Sequence, residues 1–306
     1  MGNRAHDDEG LRLSHTQINM YLEKCPRQYA YRYIEGIKTP PNGTMKRSNV
    51  GHSVIEQNYK QKVVSRQDLP VDDITDMYAT FWREELEREE VIFEQDEKPD
   101  EVRDEGIAAT KEHRLKIAPL VMAASEQSVE EWFEETLPIR AAHDSKEVIG
   151  RYTLIGKIDL IDSNARIRDN KIIGARKLIT AEDIAKDHQL SIYAIAYRRL
   201  HKQAESGVTL DTVKLLKDGP QARILDGLRT KEFLLEELNT IAHVARGIEH
   251  QVFPKRTNGW WCSEKFCGYW SRCMGRNLTV VDLLPLPDSD KPKRRKGGKD
   301  RHALND

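Results

Sequence analysis

Hydrophobic positions recur at two spacings along this chain, and the change from one to the other divides it. Ser14-His15-Thr16-Gln17 has the form of a capping box, and the helix it opens should stop near Cys25-Pro26, because proline disfavours helix in the residue before it. Pro26 begins a second element, with Tyr29, Tyr33 and Ile37 at helical spacing as core contacts and Gly36 at its end. From residue 50 to about 136 the period stays helical: Ile55, Tyr59 and Val63 form one apolar stripe, and Tyr78, Phe81, Trp82 and Leu86 another. Tyr152-Thr153-Leu154-Ile155 then opens a run of branched residues, and Asp162-Ser163-Asn164 interrupts it as a turn would, which predicts a β-hairpin. Thr180-Ala181-Glu182-Asp183 caps a long helix to about Leu200, and residues 208–216 read as a further strand. Helix, hairpin, helix and strand in this order predict an α/β core with a helical insertion, without an internal repeat.

The hairpin carries a charge pattern that bears on chemistry. Asp169 and Lys171 are two apart in a strand and share a face. With the turn centred on Asn164, Asp159 falls opposite Asp169, at a cross-strand Cβ separation of roughly 4.5 to 5.5 Å where like charges destabilise unless compensated. A divalent cation would compensate them. Hard oxygen ligands suit Mg²⁺ or Mn²⁺, which polarise a phosphoryl oxygen and activate a bound water; Lys171 would orient that water or neutralise charge developing on phosphorus. The same spacing also fits a surface hairpin with exposed ion pairs. Gln189 and Tyr193 lie four apart on the following helix, hence on one face, where an amide and a phenol can contact a phosphate or water. Upstream, His52 begins the segment HSVIEQNYKQK, with Glu56 one turn further along the same helical face.

Composition narrows the class. The chain has 306 residues, 38% hydrophobic and 32% charged, enough for a buried core with one catalytic domain and an appended lobe. No stretch approaches the ~20 apolar residues of a membrane helix, and the opening MGNRAHDDEG lacks an apolar signal segment, so a soluble, cytoplasmic protein is expected. A net charge of -1 argues against a uniformly basic nucleic-acid binder, yet the charge is uneven. Residues 84–105 are strongly acidic and read as a solvated helix face, whereas residues 291–301 are strongly basic and read either as a disordered end or as a flexible phosphate-binding arm. GRYTLIGKI is not a nucleotide loop, since Ile158 follows Lys157 where Ser or Thr is needed.

Four cysteines are placed asymmetrically: Cys25 near the start, then Cys262, Cys267 and Cys273 in CSEKFCGYWSRC. A disulfide is the least expected use in a cytoplasmic chain. Zinc sites favour short two-residue loops, whereas these gaps suit a cluster held by thiolates; cluster, zinc and uncoordinated thiols all stay open. A site taking all four would staple the first helix to the C-terminal segment, with Trp260, Trp261, Phe266, Tyr269 and Trp270 shielding it.

Taken together, these segments resemble the PD-(D/E)xK nucleases, and within them the RecB-type exonucleases with an iron–sulfur cluster, including CRISPR-adaptation exonucleases and their phage relatives. The resemblance runs from Leu13 to Cys273: CPRQYAYRYIEG is similar to the first cysteine segment, HSVIEQNYKQK to the histidine motif, GKIDLID to the first acidic strand, RDNK to the Asp/Glu-x-Lys motif, HQLSIYAIAY to the Gln-x-x-x-Tyr motif and the closing trio to the cluster motif. It implies a restriction-endonuclease-like fold, a central mixed sheet flanked by helices, with a helical insertion and an iron–sulfur-stapled N/C-terminal lobe. It also implies His52, Asp159, Asp169 and the main-chain carbonyl of Asn170 as ligands of Mn²⁺ or Mg²⁺, the histidine shifting preference toward Mn²⁺. Lys171 would be the catalytic lysine, Gln189 and Tyr193 its support, and Cys25, Cys262, Cys267 and Cys273 the holders of a [4Fe–4S] cluster. The organisation expected is N-terminal helices over 1–48, a helical lobe over 49–150, the nuclease core over 151–228, a helix and the cysteine trio over 229–282, and a basic tail over 283–306. Ser48, Asn170, Ile172 and Ile173 depart from the family pattern and bear on the shape of the DNA groove. The implied activity is a metal-dependent exonuclease on DNA, single-stranded or with free ends, in recombination, repair or CRISPR-type processing with a possible protein partner. The alternatives are a DNA-binding or assembly subunit with little or no cleavage, and a zinc-stapled protein without phosphoryl chemistry.

Overall fold

The computed structural model describes residues 10–94, 97–141, 145–175 and 179–274. The basic tail expected at 283–306 lies outside the described residues. The chain divides into two compact units, Met1–Thr257 and Asn258–Asp306, a boundary that falls inside the segment read as one C-terminal piece.

The first unit opens with strand β1 (Leu11–Leu13) and helix α1 (His15–Asn19), whose capping box between Ser14 and Gln17 is formed as the sequence predicts. A π-type turn over Met20–Lys24 brings the chain to Cys25, and Pro26 starts α2 (Pro26–Tyr29), which continues as a second π-type turn over Ala30–Ile34. Gly36 closes it at φ +70°, a conformation only glycine adopts without strain, and lets Ile37 donate to the Tyr31 carbonyl at 2.9 Å. Tyr29 is buried, and with Tyr21 it packs on Phe253, ring centroids 6.0 and 6.2 Å away.

Three long helices follow, α3 (Gly43–Ser65), α4 (Val71–Arg88) and α5 (Pro99–Lys116), with a short 3-10 turn over Ala118–Leu120. The two predicted apolar stripes do bury: Val50, Val54, Tyr78 and Trp82 join in one cluster, Ile55 and Tyr59 in another. Part of the acidic run is not a solvated face. Glu85 and Glu89 each hold the buried Lys46 ammonium at 2.5 Å, and Glu105 pairs with Arg47, because a buried cation needs a partner.

The helical reading of residues 50–136 ends too late, so the 49–150 lobe is not all helix. Val129–Arg140 is a strand, β2, paired antiparallel with β3 (Val148–Ile161) from Val129↔Leu160 to Arg140↔Val148. Phe133, Leu137 and Ile139 bury at period two, and the intervening glutamates, good helix formers, masked that alternation. β4 (Arg166–Ile173), β5 (Gly207–Leu216) and β6 (Gly219–Gly227) complete a six-stranded mixed sheet of order β1-β3-β4-β5-β6, with β2 on β3. β2 covers one edge of β3 along its length, so β1 and β4 share the other edge, at Tyr152–Leu154 and Leu160–Ile161.

Helices cover both faces. Ile167 and Ile173 of β4 pack with α7 (His188–His201) and α8 (Lys231–Glu249), while Ile172 packs with α3 and α5. The single helix expected from Thr180 to Leu200 is two: α6 (Ala181–Ala185) stops, and Asp187 caps α7 by accepting from the Leu190 N–H at 2.9 Å. Buried Arg229 braces the break, donating to the Ile184 carbonyl at 2.7 Å, the Asp187 carbonyl at 3.2 Å and Ser191 Oγ at 2.9 Å.

In the second unit, residues 259–274 run through consecutive turns, among them Cys262 N–H to the Gly259 carbonyl and Cys267 N–H to the Ser263 carbonyl, both 2.9 Å, and end in α9 (Trp270–Met274). Trp260 is 73% exposed and Phe266 50%, so these two face outward instead of shielding. Among the described residues no helix is long and apolar enough to cross a membrane.

Candidate active site

The site forms where β3 and β4 part. Their ladder has two pairs, Ile161↔Ile167 and Leu160↔Arg168, and the next step in that register sets Asp159 across from Asp169. There the backbones diverge: the Asn170 N–H donates to Asp159 Oδ2 at 3.2 Å, a side chain taking the place of a ladder carbonyl.

Asp169 points to the α7 face and is 1% exposed. The Lys171 ammonium lies 2.8 Å from its Oδ2 as an ion pair, yet out of hydrogen-bonding geometry, and both buried oxygens lack a hydrogen-bond donor. Burial pushes this carboxyl up to about 7, the Asp159 charge adds to that, and Lys171 opposes it. Burial pulls the Lys171 ammonium down, but Asp169 and Asp187 outweigh it, so its pKa stands above the ordinary value and the group stays charged.

The remaining predicted side chains close a ring. Lys171 Nζ donates to Gln189 Oε1 at 2.7 Å, Gln189 Nε2 to the Tyr193 hydroxyl at 2.8 Å, and that hydroxyl to Asp159 Oδ1 at 3.1 Å. The capped start of α7 makes this possible, placing Gln189 in the first turn and Tyr193 one turn on. Burial holds the Tyr193 phenol well above its ordinary pKa, so it acts as a donor. From the other face, α3 brings His52 Nδ1 to 3.4 Å from Asp159 Oδ2. That approach depends on the neighbouring Gly51, where a methyl would overlap Ile172. Ile172 is thus the packing partner that seats the histidine helix on β4.

Asn170 is buried and its Oδ1 lies 2.9 Å from Nε2 of His113 on α5. Burial lowers His113 to about 4, so the ring is neutral and donates through Nε2. His113, Arg229 and Glu130 were missed by the sequence reading. A histidine four residues after buried Ala109, on the inner face of α5, is the signal that would have found the first. Glu130 sits between Val129↔Leu160 and Glu131↔Ile158, hence beside Asp159, with a left-handed φ of 58°. Burial, Asp159 and Glu56 push its carboxyl up to about 7. Reading β2 as helix hid this neighbour.

His52, Asp159, Asp169 and Asn170 are therefore brought together with Lys171, Gln189 and Tyr193. Of the cysteines, Cys25 is buried, with its Sγ accepting from the Arg256 N–H at 3.4 Å, while Cys262, Cys267 and Cys273 belong to the second unit. None of the four is in a disulfide. Among the described residues no group of three or more His, Cys, Asp or Glu side chains is arranged to hold a metal ion as it stands.

A mixed sheet with helices on both faces, parting at two acids and a lysine, defines a restriction-endonuclease-like core. The chain belongs to the PD-(D/E)XK nuclease superfamily, which matches over residues 12–274. Among solved structures it is similar to that of a presumed exonuclease from Eubacterium rectale, with TM-score 0.52 and 14% identity over 93% of this chain and 99% of that one. A second, SSO0001, is 14% identical over 86% of each chain, but its TM-score of 0.37 carries no argument about fold. No curated protein matches the chain.

Proposed function

We propose that the protein is a metal-dependent deoxyribonuclease that hydrolyses phosphodiester bonds at DNA ends. One observation carries this reading: the Asp169 carboxylate is buried with both oxygens lacking a donor, beside a second acid, which is the deficit a dication would fill. Asp159, Asp169, His52 and the Asn170 carbonyl are the groups that would hold Mg²⁺ or Mn²⁺. When bound, such an ion polarises a phosphoryl oxygen and lowers the pKa of a bound water. The chain's own residues do the rest. Lys171, charged and held between Asp169 and Gln189, presents its ammonium to charge developing on phosphorus and is no general base at neutral pH. Tyr193 and the Asn170 N–H fix both oxygens of Asp159.

Attack at ends is supported by the RecB-type resemblance and accords with the name of presumed exonuclease given to the Eubacterium rectale neighbour; that resemblance also supports single-stranded or frayed DNA and a setting in recombination, repair or CRISPR-type processing with a protein partner. Four thiols outside disulfides, spaced as in that family, support a [4Fe–4S] cluster. Brown colour and acid-labile sulfide in anaerobically purified protein are the expected result, and their absence refutes the cluster. The activity is tested with Mn²⁺ or Mg²⁺ on end-labelled linear and on circular DNA. Linear DNA should shorten while circles persist, and Lys171→Ala should abolish cleavage with binding retained. A variant that loses nothing would instead identify a binding or assembly subunit.

A further inference from the structure

Two residues before Asp159 on β3 stands Lys157, and its register partner on β2 is Trp132. Cross-strand partners project from the same face, so the indole and the ammonium are neighbours. Both are open to solvent, the tryptophan 53% exposed and the lysine side chain 52%. The tryptophan is fixed outward: Phe133 next to it is buried on the opposite face, edge-on to Tyr193 at 6.2 Å. The pair therefore opens on the face away from α7, the one from which α3 brings His52 to Asp159, and at about 3.3 Å per residue Lys157 stands about 7 Å along the strand from Asp159.

The charge around the pair is already balanced. Lys157 meets Glu130 only at 3.7 Å, a long and half-exposed ion pair that an incoming phosphate displaces at little cost. Glu134, two residues beyond Trp132 on the same face, has its carboxylate bound by the Arg12 guanidinium, 2.9 Å at Oε2. An exposed indole and an exchangeable ammonium, two residues along the strand from Asp159, match the bases and phosphates of an unpaired strand; a duplex keeps its internal bases stacked on one another and out of an indole's reach.

We infer that Trp132 and Lys157 form a platform for a single nucleic-acid strand on the His52 side of the sheet, the indole stacking on a base and the ammonium meeting a phosphate of the same strand. This rests on the nuclease reading, so the test separates the two. Binding of a fluorescein-labelled single-stranded oligonucleotide, and of a duplex of equal length, is measured by anisotropy in EDTA, where no cleavage occurs. Trp132→Ala should weaken single-strand binding about tenfold or more and duplex binding far less. Trp132→Phe should retain most of the affinity. Lys157→Ala should flatten the dependence of log K on log salt by about 0.7. Unchanged single-strand binding in Trp132→Ala, or equal loss on both substrates, overturns the platform, as does loss of a protein partner with DNA binding intact. Protein that binds as described but cleaves nothing with Mn²⁺ refutes the nuclease reading alone.

Discussion

The contact between His113 and Asn170 makes a quantitative test of how the back of the active site is held. Asn170 is a buried carboxamide on β4, and the structure supplies a neutral histidine to satisfy it, 2.9 Å away and 2% exposed. Replacing His113 with leucine leaves the Asn170 carboxamide buried at 4% exposure without its donor, and replacing Asn170 with valine strands the His113 N–H. An orphaned buried polar group costs about 1–3 kcal/mol, whereas removing both partners for apolar groups of similar shape is nearly neutral. Each single variant should therefore lose about 1–3 kcal/mol in urea unfolding, and the His113→Leu, Asn170→Val double variant should recover most of the sum. Because the Asn170 N–H also fixes Asp159 at 3.2 Å, the single variants should bind Mn²⁺ more weakly by calorimetry, and the double variant should regain affinity. Additive losses, with no recovery, would refute the idea that the two residues act as a pair.

Further expectations follow from the same geometry. Asp169→Asn should abolish cleavage while raising the melting temperature of the metal-free protein, since it removes a buried carboxylate that no donor satisfies. The pKa of about 7 at Asp169 lies above the unfolded value, so the folded state keeps a proton that the unfolded chain has already lost. Metal-free stability should thus fall as pH rises from about 4 to 7 and level off above, with the Asp169→Asn advantage growing over that window in thermal melts. Mn²⁺ affinity should rise about tenfold per pH unit below 7 and flatten above it, as calorimetry in buffers of different ionisation enthalpy would detect. Gly51→Ala should cost about 1–3 kcal/mol by pushing α3 off Ile172, with activity falling further as His52 withdraws, and Ile172→Val should restore part of both.

Much of the site was legible because β-strand geometry is arithmetic. Centring the hairpin on Asn164 puts Asp159 across from Asp169, and the pairs Leu160↔Arg168 and Ile161↔Ile167 keep that register. Helical spacing put Gln189 and Tyr193 on one face, and the family resemblance singled them out as support for the site. What was hidden depends on tertiary contacts. The glutamates of β2 suit a helix locally, and eleven residue pairs with β3 override that preference. The stop at Ala185 is a capping event at Asp187 braced by Arg229, forty-two residues away in sequence, and no local pattern announces it. The departures at Asn170 and Ile172 became intelligible once their partners, His113 and Gly51, were in view.

The position of β2 has a consequence for how molecules of this protein meet one another. Its outer edge pairs with no strand among the described residues, over twelve residues that include an exposed tryptophan. A long open edge of this kind is a template for pairing with another chain. Pro138 removes one N–H that a foreign strand would need, while Glu131, Glu134 and Glu135 are engaged by His201, Arg12 and Arg199. The same glutamates that disguised the strand as a helix thus tie β2 to α7 and β1, and Pro138 is left to guard the open edge.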